Sequence, residues 1–204
     1  MARPVVLFAP GAGQPSTSAW MQAWKRRLET LGEVFTFDYP YMRAGRRSPD
    51  RAPVLLEAHR TALAAARAGR EGPVVLAGKS MGSRIGCHLA AGEPAVRALL
   101  CLGYPLVGRG GAVREEALLA LRTPVLFVQG TRDPLCPLDR LEDVRRRMTA
   151  PSALHLVEGG DHSLVVSRTR LAAAGETQER VDGRSLEAIR MFLQAHLGER
   201  SPTC

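Results

Sequence analysis

The chain has 204 residues, the length of one globular domain, so we expect residues 1–204 to form a single domain that ends in a frayed tail over 198–204. The formal charge is +8, but the basic residues are nearly all arginine and no nucleic-acid-binding motif accompanies them, so nucleic acid is not an expected partner. No apolar run approaches the ~20 residues of a membrane span, and the apolar start is shorter than a signal peptide requires, which predicts a cytoplasmic protein without a membrane partner.

Short apolar runs alternate with longer amphipathic segments along the chain. The first run, PVVLFA over 4–9, is apolar at every position, which is typical of a strand buried on both faces of a parallel sheet. Five further strands are expected. The six predicted strands cover residues 4–9, 33–39, 73–77, 96–102, 124–129 and 153–157. Strands that alternate with helices at this spacing predict a doubly wound, mostly parallel sheet of about six strands.

The segments between and after these strands predict helices and a few informative loops. The predicted helices cover residues 16–31, 53–68, 81–92, 113–121, 138–148 and 185–197. Residues 170–183 are polar and poorly patterned, so we expect a mobile surface segment there. The connection after the fourth strand, 104–111, is short and predicts a minimal cap or none. The four cysteines form no C-x-x-C pair, and neither a metal nor a cofactor is expected.

The third predicted strand runs directly into the pentapeptide GKSMG at 78–82, and a helix follows. In that setting G-x-S-x-G is a nucleophile elbow, a strand-to-helix turn so tight that side chains two places before or after the serine would strike the neighbouring backbone. Ser80 is thereby the predicted nucleophile. Lys79 is interpreted as the variable residue of the turn, because a phosphate-binding loop would need glycine where Pro73 stands.

Ligands bind beyond the carboxyl ends of the strands of an open parallel sheet, so the acid and the base are expected in the loops that follow the strands. Asp133 follows the fifth strand and His162 follows the sixth. Asp161 adjoins the histidine, but successive side chains diverge, and Asp38 after the second strand is a distant reserve. The order Ser80, Asp133, His162 is that of α/β-hydrolases. We expect structural roles for the remaining histidines, His59, His88, His155 and His196.

An oxyanion hole needs two backbone N–H donors, one from the residue after the nucleophile and one from the loop after the first strand of the site. These are predicted to be Met81 and Ala12, with Gly11 as the neighbour that could replace Ala12. The alternative is that Gly11 and Gly13 serve only to make a turn.

Four motifs extend the pattern beyond the elbow: GKSMGSR at 78–84, GYPL at 103–106, LFVQGTRDP at 126–134 and GGDHSL at 159–164. With them the chain resembles compact α/β-hydrolases of the dienelactone-hydrolase-related group, and more closely the small testis-expressed hydrolase-like proteins. The resemblance implies an α/β-hydrolase fold and assigns the serine, acid and histidine of that family to Ser80, Asp133 and His162. It does not imply a substrate.

The expected activity is that of a serine hydrolase that cleaves a small carboxylic ester, thioester or lactone through an acyl-enzyme on Ser80. The expected partner is therefore a small acyl substrate. The alternative is a catalytically silent α/β-hydrolase fold that serves as a binding or interaction module. A further hypothesis, that the substrate is anionic, rests on four arginines of the loop after the second strand, Arg43, Arg46, Arg47 and Arg51.

Overall fold

The computed structural model describes residues 2–198 and builds them around one open sheet of six strands. Neighbouring strands are all parallel, in the order β2-β1-β3-β4-β5-β6. The strands are β1 (Val5–Ala9), β2 (Glu33–Thr36), β3 (Val74–Lys79), β4 (Val96–Leu102), β5 (Val125–Gly130) and β6 (Ser152–Val157). After β2 the chain returns to the other side of β1, so the strand order reverses between β1 and β3. Such a switch point is where open parallel sheets bind ligands.

Within residues 2–198, eight α-helices cover the two faces of the sheet. They are α1 (Ala19–Leu28), α2 (Pro40–Arg43), α3 (Ala52–Arg67), α4 (Met81–Ala90), α5 (Glu116–Leu119), α6 (Leu138–Arg147), α7 (Arg168–Ala173) and α8 (Gln178–Leu197). Trp24 of α1 and Ile189 of α8 belong to the apolar cluster on one face. Leu63 of α3, Leu89 of α4 and Leu141 of α6 belong to the cluster on the other. The doubly wound sheet predicted from the sequence is therefore confirmed.

The first strand is buried on both faces of the sheet, which explains why its sequence is apolar at every position. Successive side chains of a strand point to opposite faces, so Val5 and Leu7 enter one cluster while Val6 and Phe8 enter the other. All five residues of β1 are buried, as are all six of β3 and of β5. The central strands thus fill both layers of the core and hold their carboxyl ends in fixed positions.

Residues 170–183 were expected to form a mobile surface segment; most of them are exposed or half-buried, but the segment is largely helical. It contains most of α7 and the start of α8, and each helix has a capping side chain: Ser167 accepts a hydrogen bond from the backbone N–H of Arg170, and Thr177 accepts one from that of Arg180. Val181 is buried against the sheet within this polar sequence. The helix α8 ends at Leu197 with Gly198 as its C-cap, and residues 199–204 of the predicted frayed tail lie outside the described residues.

The second strand is shorter than predicted and ends at Thr36. The chain then turns into α2, inside the segment expected to be a loop. Here Asp38 accepts a hydrogen bond from the backbone N–H of Ser16 at 2.6 Å, and Tyr39 and Tyr41 are fully buried. The pairing of β2 with β1 ends at Thr36, opposite Phe8.

The connection from β4 to β5 spans residues 103–124. Its regular structure consists of a 3-10 turn (Arg109–Gly111) and the four-residue α5. The Val107–Val113 bridge folds the segment back on itself. This short connection agrees with the minimal cap predicted from the sequence. Across residues 2–198, no helix combines the length and the apolar character that crossing a bilayer demands.

His59 of α3 is completely buried, and its burial predicts acid sensitivity. Its Nδ1 lies 3.3 Å from the Tyr39 hydroxyl. Burial lowers the pKa of His59 to about 3 from its ordinary value near 6.5. Between these two pH values the unfolded chain binds a proton that the folded chain excludes. The free energy of unfolding should therefore fall as the pH drops through this interval, by about 1 kcal/mol per pH unit.

The substitution His59→Leu is expected to remove this part of the acid sensitivity. Denaturant unfolding of both proteins from pH 8 to pH 4 measures it. The difference in unfolding free energy between variant and wild type should be constant above pH 7 and should change in favour of the variant below it. A difference that stays constant down to pH 4 would contradict a neutral, buried His59.

Candidate active site

The elbow places Ser80 between the last residue of β3 and the first residue of α4, with a strained backbone. Its φ is 51° and its ψ is −114°, a conformation that residues other than glycine rarely adopt. Hydrogen bonds on both sides hold it there. The N–H of Ser80 donates to the carbonyl of Leu102 at 3.1 Å, and the N–H of Arg84 donates to the carbonyl of Ser80 at 3.2 Å. The serine is therefore held in place independently of its own preference.

The two glycines of the elbow are required by close backbone contacts. A Cβ atom on Gly78 would overlap with the backbone N of Ser83 in α4. A Cβ atom on Gly82 would lie 2.5 Å from the carbonyl oxygen of Ala9 in β1. Since backbone atoms cannot move away as a flexible side chain can, the close approach of α4 to the sheet depends on both glycines, as the sequence motif predicts.

The three residues predicted as nucleophile, base and acid form one hydrogen-bonded chain. The Nε2 atom of His162 lies 2.7 Å from the Ser80 Oγ, and its Nδ1 atom lies 2.7 Å from Asp133 Oδ2. They come from the loops after β3, β6 and β5, so residues more than eighty positions apart meet at one edge of the sheet. In this arrangement the carboxylate can hold Nδ1 protonated and leave Nε2 free to accept the serine proton.

Asp133 is held by two donors besides the histidine. The side-chain amide of Gln129 donates to its Oδ2 at 2.5 Å, and the backbone N–H of Leu135 donates to its Oδ1 at 2.8 Å. The Gln129 amide oxygen in turn accepts from the N–H of Tyr104 at 3.0 Å, which fixes the orientation of the amide. Sequence reasoning missed Gln129. The available signal was a polar residue at the end of the apolar strand PVLFVQ, four positions before the acid.

The acid and histidine loops also bind each other through backbone contacts. The N–H of Arg132 donates to the carbonyl of Gly160 at 2.9 Å, and the N–H of Gly159 donates to the hydroxyl of Thr131 at 2.8 Å. A Cβ atom on Gly130 would overlap with the carbonyl of Gly160. The separation between Asp133 and His162 is therefore set by the packing of the two loops.

Neither rival carboxylate takes the place of Asp133. Asp161 uses its Oδ1 to accept from the N–H groups of Ser163 and Val165, at 2.7 and 3.0 Å, and so closes the turn of its own loop. Asp38 binds the N–H of Ser16, away from the histidine. The structure therefore pairs His162 with the acid chosen from the sequence.

Of the predicted oxyanion donors, Met81 directly follows Ser80, and Ala12 follows Gly11, which lies beside the serine. Met81 begins α4, where the first N–H groups of a helix lack intrahelical acceptors and carry partial positive charge. Gly11 packs so close that a Cβ atom on it would lie 3.5 Å from the Cβ of Ser80. The Ala12 carbonyl accepts the Tyr41 hydroxyl at 2.9 Å. Burial, with Asp50 and Asp38 nearby, raises the pKa of Tyr41 to about 12, so the phenol stays protonated and keeps this loop in place.

Lys79, interpreted from the sequence as the variable residue of the turn, makes contacts that the sequence did not predict. Only 8% of Lys79 is exposed, and its ammonium group donates a hydrogen bond to the backbone carbonyl of His162. The ammonium nitrogen also lies 5.3 Å from the centre of the Trp20 ring. Burial lowers the pKa of Lys79 to about 8, and the charges of Asp133 and Asp161 act in the opposite direction. The contact between Lys79 and His162 could not be predicted from local sequence because the two residues are 83 positions apart.

The site is open to solvent. One quarter of the His162 side chain is exposed, and Ser80 is half-buried. The arginines of the loop after β2 are also exposed, and one of them, Arg46, is bound to Asp50 at 2.7 Å. Across residues 2–198, no three side chains among His, Cys, Asp and Glu are grouped to bind a metal ion.

A separate groove of about 890 Å³ lies at the opposite edge of the sheet, near Pro4 and Pro73, which directly precede β1 and β3. It contains none of the three hydrogen-bonded site residues. Because parallel sheets bind ligands at the carboxyl ends of their strands, we assign the chemistry to the edge that carries Ser80.

A strained serine after the third strand of an open parallel sheet, bonded to a histidine that is bonded to an aspartate, defines an α/β-hydrolase. The chain belongs to this family: the family model described as "Alpha/beta hydrolase domain" matches residues 2–194. The lipase LipV of Mycobacterium tuberculosis is 39% identical over 101 residues, which are 48% of this chain and only 38% of that lipase.

Solved structures agree with the fold. The dienelactone hydrolase of Anabaena variabilis superimposes with a TM-score of 0.70 at 18% identity, over 96% of this chain and 88% of its own. An alpha-beta serine hydrolase homologue from Coxiella burnetii gives 0.68 at 18% identity, over 88% of this chain and 84% of its own. The predicted α/β-hydrolase fold and the resemblance to dienelactone hydrolases are thereby confirmed.

Proposed function

We propose that the protein is a serine hydrolase that cleaves small carboxylic esters, thioesters or lactones through an acyl-enzyme on Ser80. The observation that supports this best is the continuous hydrogen-bonded chain from the Ser80 Oγ through His162 to Asp133, with 2.7 Å at each step. Such a chain supplies a nucleophile, a general base and an orienting carboxylate at one place.

In the first half of the reaction the Ser80 Oγ attacks the acyl carbonyl carbon while His162 Nε2 takes the hydroxyl proton. The carbonyl oxygen becomes an oxyanion, which the N–H groups of Met81 and Ala12 would bind. The tetrahedral intermediate then breaks the bond to the leaving group. His162 gives its proton to the departing alcohol or thiol, and the acyl group stays on Ser80.

In the second half a water molecule attacks the acyl carbon while His162 takes one of its protons. Collapse of this intermediate breaks the bond to the Ser80 Oγ, which recovers a proton from His162 and releases the carboxylic acid. The Asp133 carboxylate stabilises the imidazolium that forms twice in each cycle. Gln129 and the N–H of Leu135 hold the carboxylate in place without competing for the Nδ1 proton.

The relatives and the short β4–β5 connection support the proposed substrate class. One relative is named a lipase and one structural neighbour a dienelactone hydrolase, which are enzymes of ester and lactone bonds. The connection over 103–124 adds only a 3-10 turn and α5 above the site. We infer that short acyl groups bind in the open, with little surface available to enclose a long chain.

Reaction with a fluorophosphonate probe tests the proposal without knowledge of the substrate. We expect the wild-type protein to be labelled at Ser80, located by peptide mapping, and the His162→Ala variant to be labelled at least about a hundredfold more slowly because the base is lost. Ser152→Ala, which changes a serine of β6, should be labelled as the wild type is. A folded wild-type protein that resists the probe would instead support the silent binding module.

A panel of p-nitrophenyl esters, acyl thioesters and lactones then ranks the substrate class. We expect kcat/KM to fall as the acyl chain lengthens.

The preference of the enzyme for an anionic substrate stays a prediction. Comparing a neutral ester with a carboxylate-bearing one, before and after replacing Arg43 and Arg47 by glutamine, tests it.

A further inference from the structure

Three successive carbonyl groups of the histidine loop accept hydrogen bonds from three different elements. The carbonyl of His162 accepts from the Lys79 ammonium, and the carbonyl of Ser163 accepts from the Trp20 indole N–H at 2.8 Å. The carbonyl of Leu164 accepts from the Gln178 side-chain amide at 3.0 Å. The elbow, α1 and α8 thus each bind one residue of the loop. Backbone carbonyls held one after another leave the segment little freedom to shift.

Lys79 is the donor that joins the base to the nucleophile. It precedes Ser80 in the chain, and its bond goes to the same residue whose imidazole contacts the Ser80 Oγ. Gly103 lies against that carbonyl as well, with a φ of 68°, and a Cβ atom on it would lie 2.5 Å from the His162 oxygen. The carbonyl of His162 therefore sits in a tight recess between the end of β4 and the elbow.

The surroundings of the ammonium group indicate that the buried charge of Lys79 lowers the stability of the folded protein. The charge is buried, with the aromatic ring of Trp20 on one side, and the carboxylates of Asp133 and Asp161 compensate it only in part, because burial still lowers the pKa of Lys79 to about 8. Below that pH the desolvated charge opposes folding. A residue present only to fill the space would stabilise the fold better if it were apolar.

We propose that Lys79 is a positioning residue that holds the His162 imidazole against the Ser80 Oγ through its bond to the His162 carbonyl, and that it increases turnover while lowering stability. This inference rests on the proposed serine hydrolase activity. Placement errors of about 1 Å reduce rates up to a hundredfold, so loss of this bond should lower kcat and leave substrate binding nearly unchanged.

Deprotonation of Lys79 should weaken its hydrogen bond to the His162 carbonyl and so the positioning of the imidazole. An ammonium donor forms a hydrogen bond roughly twice as strong as a neutral amine does. As the pH rises through the pKa of Lys79, about 8, the bond to the His162 carbonyl loses its charge assistance. We expect kcat to decline by a few fold on the alkaline side of this pH, a limb that should disappear when residue 79 cannot ionise.

Two substitutions separate the charge from the donor. Lys79→Met keeps the length and removes both, and we expect kcat for a short ester to fall about 10- to 100-fold with KM within about twofold. Lys79→Gln keeps a neutral N–H donor and should give an intermediate kcat without the alkaline limb. Lys25→Met is the matched control, because Lys25 is the other lysine of the chain and pairs with Glu29 on the surface of α1.

Stability separates positioning from simple packing. At pH 7 the thermal midpoint of Lys79→Met should rise by roughly 3 to 8 °C as the buried charge is removed. The gain should vanish above pH 10.5, where lysine is neutral in both folded and unfolded chains. Reduced activity together with increased stability is the expected result. Unchanged kcat, or a lower midpoint at pH 7, would overturn the proposal.

A readout independent of turnover keeps this proposal separate from the proposed function. In ¹⁵N-histidine NMR, the imidazole signals of His162, assigned with His162→Gln, should shift and broaden in Lys79→Met and stay in place in Lys25→Met. If the wild type reacts with neither ester nor probe, the serine hydrolase assignment fails, and these signals alone decide whether Lys79 positions the imidazole. Signals that are identical in all three proteins exclude it.

Discussion

Replacing Ser80 with alanine is expected to lower kcat/KM for short acyl esters by roughly five to six orders of magnitude, to the level that binding and the oxyanion donors alone support. The hydroxyl oxygen is the atom that bonds to the acyl carbon, and no neighbouring side chain takes its place. The neighbouring Ser83 hydroxyl donates to the Ser80 carbonyl at 2.6 Å, on the helix side of the elbow. Steady-state hydrolysis of a p-nitrophenyl ester measures the change.

The fold should survive this substitution. The backbone of residue 80 is held by its own N–H and carbonyl, which bond to Leu102 and Arg84 and do not involve the hydroxyl. Circular dichroism and the thermal midpoint should therefore match the wild type closely. Ser152→Ala is the control for a serine outside the site and should retain full activity. More than about 1% of wild-type activity in Ser80→Ala would remove the serine from the proposed mechanism.

The parts of the site that could be predicted are those in which local sequence dictates geometry. Gly78 and Gly82 mark the elbow because a Cβ atom at either place meets backbone, a constraint that is visible within five residues. Asp133 and His162 could be found because each lies in the loop that follows an apolar strand, and parallel strands bring their carboxyl ends to one edge. In both cases a short-range pattern determines a long-range position.

The parts that could not be predicted depend on contacts between distant segments. Lys79 reaches His162 across 83 positions, and Tyr41 reaches Ala12 across 29. Nothing in the local pattern of either residue distinguishes it from a surface lysine or a core tyrosine. The helices within 170–183 were missed for a different reason: Val181 is buried among charged neighbours, so the apolar periodicity that marks a helix is weak there.

The contacts that sequence reasoning missed share one feature, which is that they hold the machinery without touching a substrate. Gln129 fixes the acid, Tyr41 fixes the loop of Ala12, and Lys79 fixes the loop of His162. The strained backbone of Ser80 is maintained against its own preference by the same rigid surroundings. A site held in this way needs little rearrangement as charge develops, which is the property that electrostatic stabilisation of a transition state requires.

The substitution Asp133→Asn is expected to lower kcat by about 10⁴-fold, because every group that faces this carboxylate is a donor. His162 and Gln129 both donate to its Oδ2, and the N–H of Leu135 donates to its Oδ1. An asparagine must turn its amide nitrogen toward one side. Facing His162, it forces the proton onto Nε2, where the imidazole can no longer accept the serine proton. If the amide nitrogen faces Leu135, two buried donors, this nitrogen and the N–H of Leu135, point at each other.

Either orientation also costs stability, by about 1 to 3 kcal/mol for a buried donor left without an acceptor. Denaturant unfolding measures that cost, and steady-state kinetics measures the loss of kcat. Asp161→Asn is the matched control, since it makes the same chemical change one residue from His162, at a side chain that accepts from the N–H groups of Ser163 and Val165. An asparagine oxygen can accept both bonds, so kcat should stay within about fivefold of the wild type. If the two variants lost activity equally, Asp133 would lose its assignment as the partner that orients the base.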